Sequence, residues 1–79
     1  MTTDELRAKR AAAGIPGHAV CQLSGISRAR LSDIERGYLT ASLEDLNRID
    51  AAIERILSTR RQLTRLAIDA GLSLTGVRL

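Results

Sequence analysis

The stretch Gly14-Ile15-Pro16-Gly17-His18-Ala19-Val20-Cys21-Gln22-Leu23-Ser24-Gly25-Ile26-Ser27-Arg28-Ala29-Arg30-Leu31-Ser32-Asp33-Ile34-Glu35-Arg36-Gly37 decides the fold. Gly14, Gly25 and Gly37 cut it into two short segments, each long enough for a few helical turns. Pro16 is best placed at the start of the first, which runs from about Gly17 to Ser24 and builds its apolar face from Val20, Cys21 and Leu23. Ser27 caps the second, whose buried positions are Leu31 and Ile34, and Gly37 closes it. Two helices meeting in a tight turn need a small residue where they approach, here Cys21. The turn itself needs a residue that tolerates positive φ, here Gly25, and the second helix needs an apolar anchor, here Leu31. Arg28, Ala29, Ser32, Asp33 and Arg36 are then free to face outward.

Outside this unit the pattern stays helical. A first helix is predicted from Asp4 to Ala13, with Thr3 as N-cap, acidic Asp4 and Glu5 in its first turn, and Gly14 as the residue that ends it. Downstream, Ser42 opens a fourth helix with Asp45 in the capping-box position. Apolar residues then fall at Leu46, Ile49, Ile53, Ile56, Leu63, Ala67, Ala70 and Leu74 in steps of three and four, with one member missing at Arg60. No Gly or Pro interrupts residues 42–70, whereas Thr59 with Gln62 offers a second capping box. One long helix and two helices broken around Ser58-Thr59 both fit this pattern.

Seventy-nine residues make one domain with a thin core, and a hydrophobic content of 44% excludes a disordered chain. The sequence therefore predicts an all-α fold, a compact bundle of four to five helices. The division expected is a core over residues 1–57, followed by a C-terminal helix and tail over 58–79. A net charge of +3 is a mild basic excess that suits a polyanion. Tyr38 is the single aromatic, too few for stacking unpaired bases, so a nucleic-acid partner would be a duplex. One cysteine, no apolar run near the ~18 residues of a membrane span and no signal peptide point to the cytoplasm.

The combined motif resembles the Cro- and phage-repressor-type (XRE-like) helix-turn-helix proteins. The carrying residues are Leu6 and Arg10 on the first helix, then Cys21 and Leu23-Ser24-Gly25-Ile26-Ser27. Ile34-Glu35-Arg36-Gly37 follows, with Ser42-Leu43-Glu44 at the entry to the fourth helix. The resemblance covers about residues 4–57. It implies a lambda-repressor-like bundle whose second and third helices hold duplex DNA at the nucleoid. Arg28, Ala29, Ser32 and Asp33 match base-reading positions, with Arg28 suited to guanine. Gly17, His18, Ser27, Arg30, Arg36, Tyr38 and Thr40 match positions near phosphates. Arg10 and Glu35 match a structural ion pair. Two features depart from the family: Pro16-Gly17 stands where it usually has Ser-Gln, and Asp33 puts a negative charge on the reading face.

Other chemistry is poorly served. His18 and Cys21 lie three apart on a helix but lack further ligands for a metal site. No nucleophile, base and orienting group are spaced for catalysis, and no cofactor or small-molecule ligand is indicated. Ile56, Leu57, Leu63, Leu66, Ala70, Leu72 and Leu74 are expected to lack partners in their own chain and to form a homodimer interface. The function expected is a sequence-specific regulator, most simply a repressor, on a palindromic operator. An antitoxin and an oligomeric DNA-packaging adaptor are the alternatives.

Overall fold

The computed structural model describes residues 1–71, and among them the chain forms four helices and no strand. These are α1 (Thr3–Ala12), α2 (Gly17–Ser24), α3 (Arg28–Glu35) and α4 (Leu43–Asp69). α1 begins and ends one residue earlier than the sequence pattern predicts. Thr2, not Thr3, caps it, because the Thr2 hydroxyl accepts from the Glu5 amide at 3.1 Å. Pro16 likewise sits one place outside α2, in extended backbone at the N-cap rather than in the first turn. Ser27 accepts from the Arg30 amide to cap α3, and Gly25 takes the left-handed conformation (φ 76°) that ends α2.

α4 is continuous. It starts in a complete capping box: Ser42 accepts from the Asp45 amide, and the Asp45 carboxylate accepts from the Ser42 amide. It passes through the expected boundary at residues 57–58 and through Ser58-Thr59 without a break. The Thr59 hydroxyl, available as a second cap, instead donates to the Arg55 carbonyl one turn back, the same acceptor that helix geometry gives the Thr59 amide. With 27 residues, α4 is about 40 Å long.

The core is a single cluster of Leu6, Ile15, Val20, Ile26, Leu31, Ile49, Ala52 and Ile53, drawn from all four helices and two turns. α1 and α2 pack on α4, while α3 packs on α1 and α2. Ile15 and Ile26, in the turns on either side of α2, are buried and pin both turns to the bundle. Leu23 does the opposite: expected on the apolar face of α2, it is 42% exposed. Ile56 and Leu57 are also repositioned, since both are half-buried and pack against the core rather than lacking partners.

Polar side chains tie the helices to one another. Arg10 donates through Nε and Nη2 to the Glu35 carboxylate at 2.8–3.1 Å, and through Nη1 to the Ile15 carbonyl at 2.8 Å. One guanidinium thus joins α1 to the end of α3 and to the α1–α2 turn. Arg60 occupies the gap in the apolar repeat of α4 and donates to the Ala13 carbonyl at the C-terminus of α1, where a positive charge meets the negative end of the helix dipole. Lys9 bridges to Glu54 and Asp50, and these two carboxylates hold its ammonium above the ordinary lysine range.

The Arg10–Glu35 pair is only about one-fifth exposed on each side, so stranding one charge should cost about 3 kcal/mol, the low end for a buried pair. Arg10→Met is expected to lower the melting temperature by at least about 10 °C in a domain of this size. Adding Glu35→Leu should recover a large part of that loss. Additive losses in the thermal melt of the double variant would mean that the two side chains do not act together.

Candidate nucleic-acid interface

α3 presents two faces because its apolar residues recur at i and i+3. Leu31 and Ile34 are buried, which turns Arg28, Ala29 and Asp33 to the surface and leaves Ser32 half-buried at the edge. Arg28, Ser32 and Arg36 are spaced four apart and share one side of the helix. That side borders a groove of about 380 Å³ whose opposite wall is the start of α2, Pro16-Gly17-His18, with Cys21 below. Gly17 faces α3, and an added Cβ there would stand at ordinary contact distance, 3.7 Å, from the Leu31 Cδ2. The N-cap Pro16 makes no side-chain bond to the first amides of α2.

The groove is electropositive. Arg28 and Arg36 take part in no ion pair among the described residues. The acid beside them, Glu35, is already neutralised by Arg10. A third arginine that sequence reasoning did not single out, Arg7 of α1, also lines the groove and donates through Nη1 to the Glu35 carbonyl at 3.3 Å. Its signal in the sequence was only its place three residues before Arg10, one turn along α1, which has no meaning until α1 is docked on α3.

The remaining candidates fall around this groove or away from it. Ser27 is exposed at the N-terminus of α3, and Tyr38 and Thr40 are exposed in the loop that follows it. The Asp33 carbonyl accepts from the amides of Tyr38 and Leu39, which folds that loop back on the end of α3. Arg30 points the other way. Its Nη2 meets the Asp45 carboxylate at 2.7 Å, binding α3 to the N-terminus of α4. The Arg30 guanidinium holds the Asp45 carboxyl below the usual carboxylate range. Burial pushes it up, and the hydrogen bonds with Ser42 add to the lowering. Arg30 keeps half its side chain exposed, but its charge is matched inside the protein. The structure therefore gathers Gly17, His18, Arg28, Ser32 and Arg36 into one concave surface, with Ala29 and Asp33 beside it, and gives Arg30 a bracing contact.

Along α4, Leu63 is 40% and Leu66 63% exposed, and Ala70 is exposed, whereas Leu72 and Leu74 lie outside the described residues. Among the described residues no three His, Cys, Asp or Glu side chains cluster to hold a metal, and no helix is long and apolar enough to cross a membrane.

Two short helices crossing at a glycine turn, the second with its polar face bare beside a positive groove, are built to lie against a polyanion with a groove of its own. The sequence matches the helix-turn-helix domain family over residues 3–63, which takes in all of α1 to α3 and most of α4. No curated protein and no solved structure matched the chain. The chain therefore belongs to the helix-turn-helix domain family, within the Cro- and phage-repressor-type group of DNA-binding regulators.

Proposed function

We propose that the chain is a transcriptional repressor, active as a homodimer on a palindromic operator, with α3 reading base edges in the major groove. The observation that carries this reading is the pairing of an exposed polar face on α3 with the unneutralised arginines Arg28 and Arg36 along one groove. In this reading Arg28, at the first turn of α3, forks onto guanine O6 and N7. Ser32 and Ala29 contact neighbouring bases, and Asp33 accepts from a cytosine amino group. The amides of Gly17 and His18, with Ser27, Arg36, Tyr38 and Thr40, grip phosphates on either side. Arg30 supports the reading helix through Asp45. The chain acts by binding in the cytoplasm at the nucleoid, and we assign it no catalytic step.

Dimerisation rests on α4. Its core-facing stripe, Ile49, Ala52, Ile53 and Ile56, continues at the same helical spacing as Leu63, Ala67 and Ala70, beyond the reach of the core. Beside it, α2 and α4 enclose an apolar groove of about 550 Å³ lined by Ile15, Pro16, Ala19, Leu23 and Ile56. Leu23 of that lining is itself exposed, and Leu66 adds exposed apolar area further along α4. A second copy covering this stripe would place two α3 helices on one face of DNA, about 34 Å apart.

Two measurements test these readings. On a duplex selected from random sequence, Arg28→Ala is expected to cost about 1–3 kcal/mol and to relax preference at one base pair. Equal weakening on selected and random duplexes would make Arg28 a phosphate contact only. For assembly, Leu63→Glu with Leu66→Glu leaves Arg60 and its cap on α1 intact. Sedimentation should show a dimer for the wild type and a monomer for this variant. A variant that remains dimeric would move the interface elsewhere, and a wild type of eight or more subunits would favour a ring-forming adaptor.

A further inference from the structure

We infer that Arg7, on the first helix and outside the helix-turn-helix unit itself, is a direct contact to a DNA backbone phosphate and travels with the reading helix as it docks. This rests on the proposed DNA-binding reading. Arg7 is exposed, lines the same groove as Gly17, His18, Arg28 and Arg36, and takes part in no ion pair among the described residues. Its one hydrogen bond, through Nη1 to the Glu35 carbonyl, ties it to the C-terminal end of α3. The other N–H donors of its guanidinium make no bond among the described residues. Arg7, Arg28 and Arg36 thus bring three positive charges to one groove, and the carboxylate within that groove is already held by Arg10. Like charges set together repel unless an anion sits among them, and a guanidinium presents the planar fork that matches two phosphate oxygens.

The local sequence gives this arginine a task. α2 begins at Pro16-Gly17, and Pro16 offers no side-chain group to the first turn and none to a phosphate. The first backbone amides of α2 are left as donors without a capping side chain, and His18 is the one polar side chain of that turn at the groove. Arg7 reaches the same groove from α1 and supplies the charged donor that this helix start lacks. Because it is held at the Glu35 carbonyl, its position is fixed relative to Arg28 and Arg36 rather than to the surface of α1 alone. A phosphate in the groove would meet donors from α1, α2 and α3 together.

The test is the salt dependence of DNA binding by the full chain. Fluorescence anisotropy would follow titration of a selected duplex and of a random-sequence duplex between about 50 and 200 mM salt, for the wild type, Arg7→Gln, Arg7→Ala and Arg7→Lys. Each phosphate contact contributes about 0.9 to the slope of log K against log salt, so the wild type should lose about three- to fourfold more affinity over this range than Arg7→Gln or Arg7→Ala. The two variants should weaken equally on both duplexes, and Arg7→Lys should keep the wild-type slope. Arg7→Gln keeps a donor for the Glu35 carbonyl and Arg7→Ala does not, so a role confined to bracing α3 would lower the melting temperature of the alanine variant and leave both slopes unchanged. Unchanged slopes overturn the inference. Failure of the wild type to bind any duplex would overturn the DNA-binding reading itself, and this inference with it.

Discussion

The contact on which the arrangement depends is the fork of Arg10 on the Glu35 carboxylate. α3 is eight residues long, too short to hold a helical shape or a fixed direction by itself. Leu31 and Ile34 anchor its apolar side, but two side chains on adjacent turns leave rotation about the helix axis weakly restrained. Arg10 removes that freedom by gripping Glu35 at the helix end while its third donor holds the Ile15 carbonyl in the α1–α2 turn. Arg30 with Asp45 performs the same service at the other end, against α4. Between these two braces, Arg28, Ser32 and Arg36 are presented at fixed angles. The Arg10 pair also removes acidic charge from the groove, because the Glu35 carboxylate that borders it is largely buried and neutralised.

α4 does two jobs along its length. Its first half closes the core through Ile49, Ala52 and Ile53, and its capping box sets where the helix begins relative to α3. Arg60 marks the transition. At a position where the repeat calls for an apolar side chain, a guanidinium reaches across to the Ala13 carbonyl and covers the C-terminus of α1. An aliphatic residue there would have extended the core by one layer. The arginine ends it and leaves the distal stripe for other surfaces. α4 runs unbroken across Ser58-Thr59, and the Arg60 contact ties it to α1 just past that point.

Much of this was legible in the residues. The glycines at positions 14, 25 and 37, the Ser27 and Ser42 caps, and the apolar spacing gave α1, α2, α3 and the start of α4 in the right order, because those signals are local, but they fitted one helix or two over residues 42–70 equally well. The family motif placed Arg10 opposite Glu35. Shifts of one residue at Thr2 and Pro16 show where local reasoning ends, since adjacent threonines are both competent caps and a proline fits on either side of a helix start. The larger misreadings were tertiary. Ile15 and Ile26 looked like turn residues and proved to be core, whereas Leu23 looked like core and lies at the surface, because helix periodicity says nothing about which turns are folded under the bundle. The roles of Arg7, Arg30 and Arg60 were beyond the sequence for the same reason. Twelve basic side chains look alike in a string, and only their carbonyl and carboxylate partners distinguish a brace from a free charge.

The central claim is that duplex DNA lies against α3 and the start of α2. Titration of labelled protein with a selected duplex, followed by backbone amide shifts, tests it residue by residue. The largest changes are expected at Gly17, His18 and residues 27–36, with little change along residues 44–58 of α4. Changes concentrated on the distal part of α4, with α3 silent, would contradict the account and assign the DNA surface to the arginines of that helix instead.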